Sequence, residues 1–161
     1  MLAPGQVSST ASERDNPQFA FLMQDSHEEY NPKKVAIDPE WKDKTFLIVE
    51  DVPSNFQLLA AYLSRTGANV IHFDRGMPAF EWIKAGKPID MILMDLRLPD
   101  MNGIAVTRMI RNINSRIPVI AQTAFAMQGD RERCLDAGCN DYIAKPIRKS
   151  DFLELVTRHL S

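Results

Sequence analysis

Four short apolar runs in this chain end in residues suited to metal and phosphate chemistry. Thr45-Phe-Leu-Ile-Val49 runs into Glu50 and Asp51, and Asp90-Met-Ile-Leu-Met94 runs into Asp95. Ile117-Pro-Val-Ile-Ala121 is followed by Thr123, and Tyr142-Ile-Ala144 by Lys145. Three carboxylates brought together repel, by roughly 4 kcal/mol for two unit charges about 4 Å apart at an effective dielectric of 20. A divalent cation relieves that repulsion, and oxygen-only ligands favour Mg2+ or a similar hard ion over zinc. With such an ion in place, Asp95 is a carboxylate nucleophile able to attack phosphorus and form an aspartyl phosphate. Lys145 then offers a positive charge to one phosphoryl oxygen and Thr123 a hydroxyl donor to another. Phosphoryl transfer asks little more than such positioning and charge neutralisation.

Each piece alone has an ordinary explanation. An acidic pair after a strand is usually a solvated loop, a threonine in that place is commonly a cap, and a single lysine is usually a surface charge. Their order at successive run ends is what points to one site.

Elements must deliver these residues to one place, and the apolar pattern says which. Thr45–Val49, Asn69–Phe73, residues 90–94, residues 117–121 and residues 142–144 are short, apolar and strand-like. Between them lie stretches of helical spacing. The first opens at Pro53 with Phe56, Leu59, Tyr62 and Leu63 on one face and is stopped by Gly67. The others cover residues 78–85, 104–112, 127–137 (closed by Gly138) and 149–160. The unbroken apolar character of residues 90–94 implies burial on both faces, as in a parallel sheet covered by helices. Five strands alternating with five helices predict an α/β fold, a doubly wound parallel sheet with right-handed crossovers. Ligands bind outside the carboxyl ends of such strands, the edge where the polar residues emerge.

Composition narrows the function classes. The 161 residues suit one domain with a tail, and 45% hydrophobic residues are enough to build a core. A net charge of −2 lacks the basic footprint of nucleic-acid binding, so no direct contact with nucleic acid is expected. Cys134 and Cys139 are too few for a disulfide framework and have no zinc-like spacing to histidine. They read as reduced thiols in a cytoplasmic protein. No run is long enough for a membrane helix, and the N-terminus is not a secretory signal, so no membrane contact is expected. Residues 1–43 are polar and lack apolar periodicity, apart from Phe19-Ala-Phe-Leu-Met23. They read as a linker or partly ordered arm ahead of a domain at 44–161. His27, His72 and His159 are scattered and receive no chemistry.

The motifs Phe46-Leu-Ile-Val-Glu-Asp51, Met91-Ile-Leu-Met-Asp95 with Leu98-Pro-Asp-Met-Asn-Gly103, Pro118-Val-Ile-Ala-Gln-Thr-Ala124 and Asp141-Tyr-Ile-Ala-Lys-Pro146 closely resemble the receiver domains of response regulators and hybrid sensor kinases. The resemblance spans roughly three quarters of the chain. It implies a flavodoxin-like sheet of order 2-1-3-4-5 and Asp95 as phosphoacceptor. It also implies Glu50 and Asp51 as the Mg2+-binding pair, with Asp95 and the Arg97 backbone carbonyl as further metal ligands. Thr123 and Lys145 fall on the switch hydroxyl and the phosphate-binding lysine. Tyr142 falls on the aromatic that swings inward on activation, although a strand aromatic needs no reason beyond packing. Lys145-Pro146 matches a peptide bond often found in cis. Arg97 and Phe125 occupy places that tune how long the phosphoryl group survives, and a guanidinium and an aromatic ring there favour a long-lived state.

The partners implied are a sensor histidine kinase or a histidine phosphotransfer protein upstream. Downstream, a protein target is expected on the face of the fourth helix, fifth strand and fifth helix, because the chain stops just after its last helix with no output domain. Trp41-Lys-Asp-Lys-Thr45 and Ala121-Gln-Thr-Ala-Phe-Ala-Met127 look like receivers fused behind hybrid histidine kinases; a stand-alone single-domain regulator is the alternative. The resemblance implies a phosphorylation switch rather than an enzyme. Haloacid-dehalogenase-type phosphatases share the strand-end aspartate and Mg2+, but place a second aspartate where this chain has Arg97, and no lid-like insertion is visible. A degenerate docking-only receiver would lack one of the key residues, and all are present.

Overall fold

In the computed structural model, which describes residues 38–124 and 128–160, the run Met91-Ile-Leu-Met-Asp95 forms strand β3, with all five residues buried. Its neighbours are β1 (Thr45–Val49) on one side and β4 (Val119–Thr123) on the other. Outside these lie β2 (Asn69–Phe73) and β5 (Asp141–Ala144). Every pairing is parallel and the order is β2-β1-β3-β4-β5, as expected.

Strand side chains alternate between faces, and each face has its own helices. Phe46, Ile48, Met91, Leu93, Ile120 and Ile143 point to one side. There they meet Leu59 and Leu63 of α1 (Pro53–Ser64) and Phe152 and Val156 of α5 (Lys149–His159). Leu47, Val49, Ile92, Met94, Val119 and Ala121 point to the other. They are covered by α2 (Gly76–Lys84), α3 (Gly103–Ile113) and α4 (Gln128–Ala137). This two-sided burial explains why the central strands read as unbroken apolar runs. Trp41 is also buried, tilted against Phe46 with ring centroids 5.4 Å apart, and Asp38 pairs with Lys149 at 2.8 Å. Phe19–Met23, His27, Phe125 and Met127 lie outside the described residues.

Several boundaries differ from the sequence expectation, each for a tertiary reason. Strand β3 starts at Met91, not Asp90, because the Asp90 carboxylate turns aside to accept from the Thr45 N–H at 2.7 Å. Strand β4 starts at Val119 rather than Ile117 and runs on to Thr123, so Gln122 and Thr123 are ladder residues. Pro118 has no N–H to give, but its carbonyl accepts from Ile92 N–H at 2.9 Å. Helix α2 begins at Gly76, two residues before Pro78, because Asp100 reaches it from the β3–α3 loop. Asp100 Oδ1 accepts from Gly76 N–H and Oδ2 from Met77 N–H, both at 2.8 Å.

That loop is fastened at its far end too. Asn102 caps α3 by accepting from Ile104 N–H at 2.8 Å. Gly103 lies so close to the end of β3 that a Cβ there would collide with the Asp95 carbonyl. Because the Asp100 carboxylate replaces a local N-cap for α2, Asp100→Ala is expected to cost about 1 kcal/mol, with Asp100→Asn less damaging; urea unfolding of the three proteins measures this.

Candidate functional site

The sheet order places β1 and β3 side by side with the chain leaving them in opposite directions, which opens a crevice at their carboxyl ends. Glu50 and Asp51 follow β1, and Asp95 closes β3. One carboxylate oxygen from each of the three lies within 4.8 Å of the others. Glu50 is fully buried and Asp95 nearly so, while Asp51 is half-buried. Lys145, just past β5, reaches in between them: its Nζ donates to Glu50 Oε2 at 2.8 Å and lies 3.4 Å from Asp95 Oδ2. The Lys145–Pro146 peptide is cis.

The other oxygens of the buried pair are held by backbone. Glu50 Oε1 accepts from Val52 N–H at 3.1 Å, and Asp95 Oδ1 accepts from Arg97 N–H at 3.1 Å. Thr123, at the end of β4, is buried and lines the same cleft, a space of about 480 Å³. Structure therefore gathers Glu50, Asp51, Asp95, Thr123, Lys145 and Arg97 from four different strand ends. Tyr142 stands apart from this wall: it is half-buried on β5, with the Arg131 guanidinium of α4 5.6 Å from its ring centroid.

Sequence reasoning missed some contributors. His72 was assigned nothing, yet its Nε2 donates to the Glu50 carbonyl at 2.8 Å and its ring stacks on Phe56 at 3.8 Å. It thereby fixes the backbone that carries the acidic pair. Asn55, Asn102, Asp130 and Arg133 also line the cleft. Only Asn102 left a signal, an asparagine followed by glycine at a helix start.

One ammonium faces three carboxylates, and that imbalance shows in Asp95. Burial pushes its carboxyl up to about 6, and the neighbouring Glu50 charge adds to the rise. The Arg97 N–H and the Lys145 ammonium pull the other way without cancelling it. A cluster of oxygen donors, in net deficit of positive charge and open to a cleft, fits a hard divalent cation of the Mg2+ type.

Comparison with known proteins agrees with this geometry. Residues 46–157 match the model of the response regulator receiver domain. The polar-differentiation response regulator DivK of Brucella anthropi is 39% identical over 119 residues, covering 73% of this chain and 96% of that protein. The receiver domain of the sensor histidine kinase PA1611 from Pseudomonas aeruginosa PAO1, solved with a magnesium ion coordinated in its active-site cleft, is 41% identical. It superposes with a TM-score of 0.66 and covers 71% of this chain and 95% of that one. A response regulator structure from Chloroflexus aurantiacus is 26% identical with a TM-score of 0.68, covering 72% and 96%. The chain belongs to the receiver domain family of two-component response regulators.

The raised Asp95 carboxyl has a sign that can be tested. Its folded value lies above its ordinary 3.8, so between those values the folded state holds a proton that the unfolded chain has released. Stability therefore falls as pH rises through this window. In metal-free protein, wild type is expected to lose roughly 2 kcal/mol relative to Asp95→Asn between about pH 4 and about pH 7. Parallel urea titrations at several pH values measure the difference. By the same linkage, Mg2+ affinity should fall once the pH drops below the raised value.

Proposed function

We propose that this receiver domain accepts a phosphoryl group on Asp95 from a phosphohistidine donor, with Mg2+ bound at the acidic cluster, and uses the phosphorylated state as a switch. The observation that carries the reading is the convergence of Glu50, Asp51 and Asp95 within 4.8 Å, with Lys145 lying across the buried pair. Glu50, Asp51, Asp95 and the Arg97 backbone carbonyl are the groups that would hold the ion. When bound, it neutralises charge on the carboxylates and on the transferring phosphoryl oxygens. The Asp95 carboxylate forms a bond to phosphorus while the bond from phosphorus to the donor's imidazole nitrogen breaks; the donor ring, protonated at its other nitrogen, keeps the bonding pair and leaves as neutral histidine. Arg97 N–H holds one Asp95 oxygen and so orients the other. Lys145 is close enough to Asp95 to follow the new negative charge, and Thr123, which lines the cleft, supplies a hydroxyl donor to it.

The donor is a sensor histidine kinase or a histidine phosphotransfer protein. Output passes to a protein target through the α4–β5–α5 face. Tyr142 sits on that face, bridging to α4 through Arg131, so a change at Thr123 has a short route to it. Such a domain is a phosphoacceptor with self-phosphorylating and self-dephosphorylating chemistry only, not a turnover enzyme. Two buried free thiols, Cys134 and Cys139, suit a reducing cytoplasm. The likeness to the PA1611 receiver supports the C-terminal receiver of a hybrid kinase, and the likeness to DivK supports a stand-alone regulator. An antibody to residues 44–161 used on source cells separates them: a band the size of this chain means a regulator, and a far larger one a hybrid kinase.

The test of the switch is labelling with acetyl phosphate or a phosphohistidine donor, with and without Mg2+. One phosphoryl group per chain is expected, lost on chelation and absent in Asp95→Asn. Multiple turnover of phosphomonoesters would contradict the reading. Arg97 and Phe125 are proposed to slow attack by water on the phosphorylated state. Arg97→Asn and Phe125→Ala should shorten its half-life by a factor of about 3 to 10 each, on the scale of one lost shielding contact; unchanged decay rejects that role.

A further inference from the structure

Helix α4 is held unevenly along its length. Its first six residues, Gln128-Gly-Asp-Arg-Glu-Arg133, include no apolar side chain. Gly129, Arg131, Glu132 and Arg133 are exposed and Asp130 is half-buried. A Cβ added at Gly129 would meet nothing within 4 Å. The side chains of this half make an Asp130–Arg133 pair at 3.8 Å within the helix, and the Arg131 guanidinium lies over the Tyr142 ring. Exposed contacts of these two kinds contribute little, and so short a helix is marginal without an apolar face to bury.

The second half is seated. Cys134 and Ala137 are buried in the same core cluster as Val119 and Ala121. Past the helix end, Gly138 N–H donates to the Leu135 carbonyl and Cys139 N–H to the Cys134 carbonyl, both at 3.0 Å. Arg111, in the last turn of α3, closes over this turn. Its Nε donates to the Gly138 carbonyl at 2.7 Å and Nη2 to Asn140 Oδ1 at 2.8 Å. Its Nη1 donates to the Ile117 carbonyl at 2.7 Å and the Asn114 carbonyl at 3.3 Å. Gly138, at φ +104°, lies so close against the Arg111 stem that a Cβ would collide with it. One planar guanidinium thus joins the end of α3, the approach to β4 and the α4–β5 turn.

We propose that α4 is held at one end only: Arg111 and the buried Cys134 clamp its C-terminal turn, and its N-terminal half opens from the domain as a local unit while the sheet stays folded. That half carries Asp130 and Arg133, which line the acidic cleft, and Arg131, which lies over Tyr142. The helix is a lever that pivots at the Arg111 clamp and has its free end at the cleft. Use of the lever in signalling rests on the reading of Asp95 as phosphoacceptor; the one-ended attachment does not.

Residue-resolved hydrogen exchange on the metal-free full chain measures the attachment. The amides of Glu132 and Arg133 bond to carbonyls in the first turn of the helix, and those of Gly138 and Cys139 report on the clamp. Glu132 and Arg133 are expected to be protected at least about 100-fold less than Gly138 and Cys139, at a level that low urea leaves unchanged, as for local opening. Equal protection at the four amides, or a urea dependence at Glu132 and Arg133 as steep as that of the β3 amides, overturns the proposal. Arg111→Gln, or Arg111→Lys should the first not fold, tests the pivot. Relative to the β3 amides, protection at Gly138 and Cys139 should fall about 10-fold or more, with Glu132 and Arg133 within about 2-fold. Labelling of Cys134 and Cys139 by a thiol reagent should speed up alongside. An equal loss at α4 and β3, or none at Gly138 and Cys139, rejects Arg111 as the clamp. Protein held phosphorylated with acetyl phosphate and Mg2+ should change protection at Glu132 and Arg133 by about 3-fold or more and leave Gly138 and Cys139 within about 2-fold; no change at Glu132 and Arg133 removes the link to signalling. If wild type takes no label, the acceptor reading fails, and the metal-free exchange still decides the attachment.

Discussion

Like charges held together at the rim of a sheet set the terms for this structure. Glu50, Asp51 and Asp95 approach within 4.8 Å of one another, two of them buried, with the Lys145 ammonium between the buried pair. Repelling carboxylates stay in place only if the backbone beneath them cannot yield. Here that backbone is the centre of a parallel sheet: β3 and β4 are buried along their whole length, and β1 along all but its first residue. The packing on both faces supplies the rigidity that lets a strained electrostatic arrangement persist. A hard cation would relieve that repulsion, while burial, with the Glu50 charge adding to it, raises the Asp95 carboxyl to about 6.

Rigidity extends from the strands into the loop after β3. Asp100 anchors it to the start of α2, Asn102 starts α3, and Gly103 admits the close approach to Asp95. With both ends tied, Arg97 N–H is held where it meets an Asp95 oxygen. On the other strand, His72 reaches from β2 to the Glu50 carbonyl, backed by Phe56 of α1. Glu50 and Asp95 are thus each set by contacts from a neighbouring element as well as by their own strands.

The elements were readable because burial leaves a mark on composition. Runs such as Phe46-Leu-Ile-Val49 and Met91-Ile-Leu-Met94 are apolar on both faces, and helices α1 and α5 carry apolar positions at helical spacing. Their exact ends were less readable. Asp90 and Gly76 were misplaced by one or two residues because what bounds them, Thr45 and Asp100, is distant in sequence. Gln122 fell just past the expected end of its strand, and nothing in its own neighbourhood announces a side-chain amide buried without a protein partner.

The sequence by itself determined which residue types stand at the strand ends, and hence the class of chemistry open to the chain, because strand period and apolar runs are local properties. Only the tertiary structure decided that Lys145 meets Glu50, 95 positions away, which strand end lies beside which, and how deeply each carboxylate is buried. Those outcomes follow from strand order and side packing, which are sums over contacts between distant segments. No local window of residues contains them.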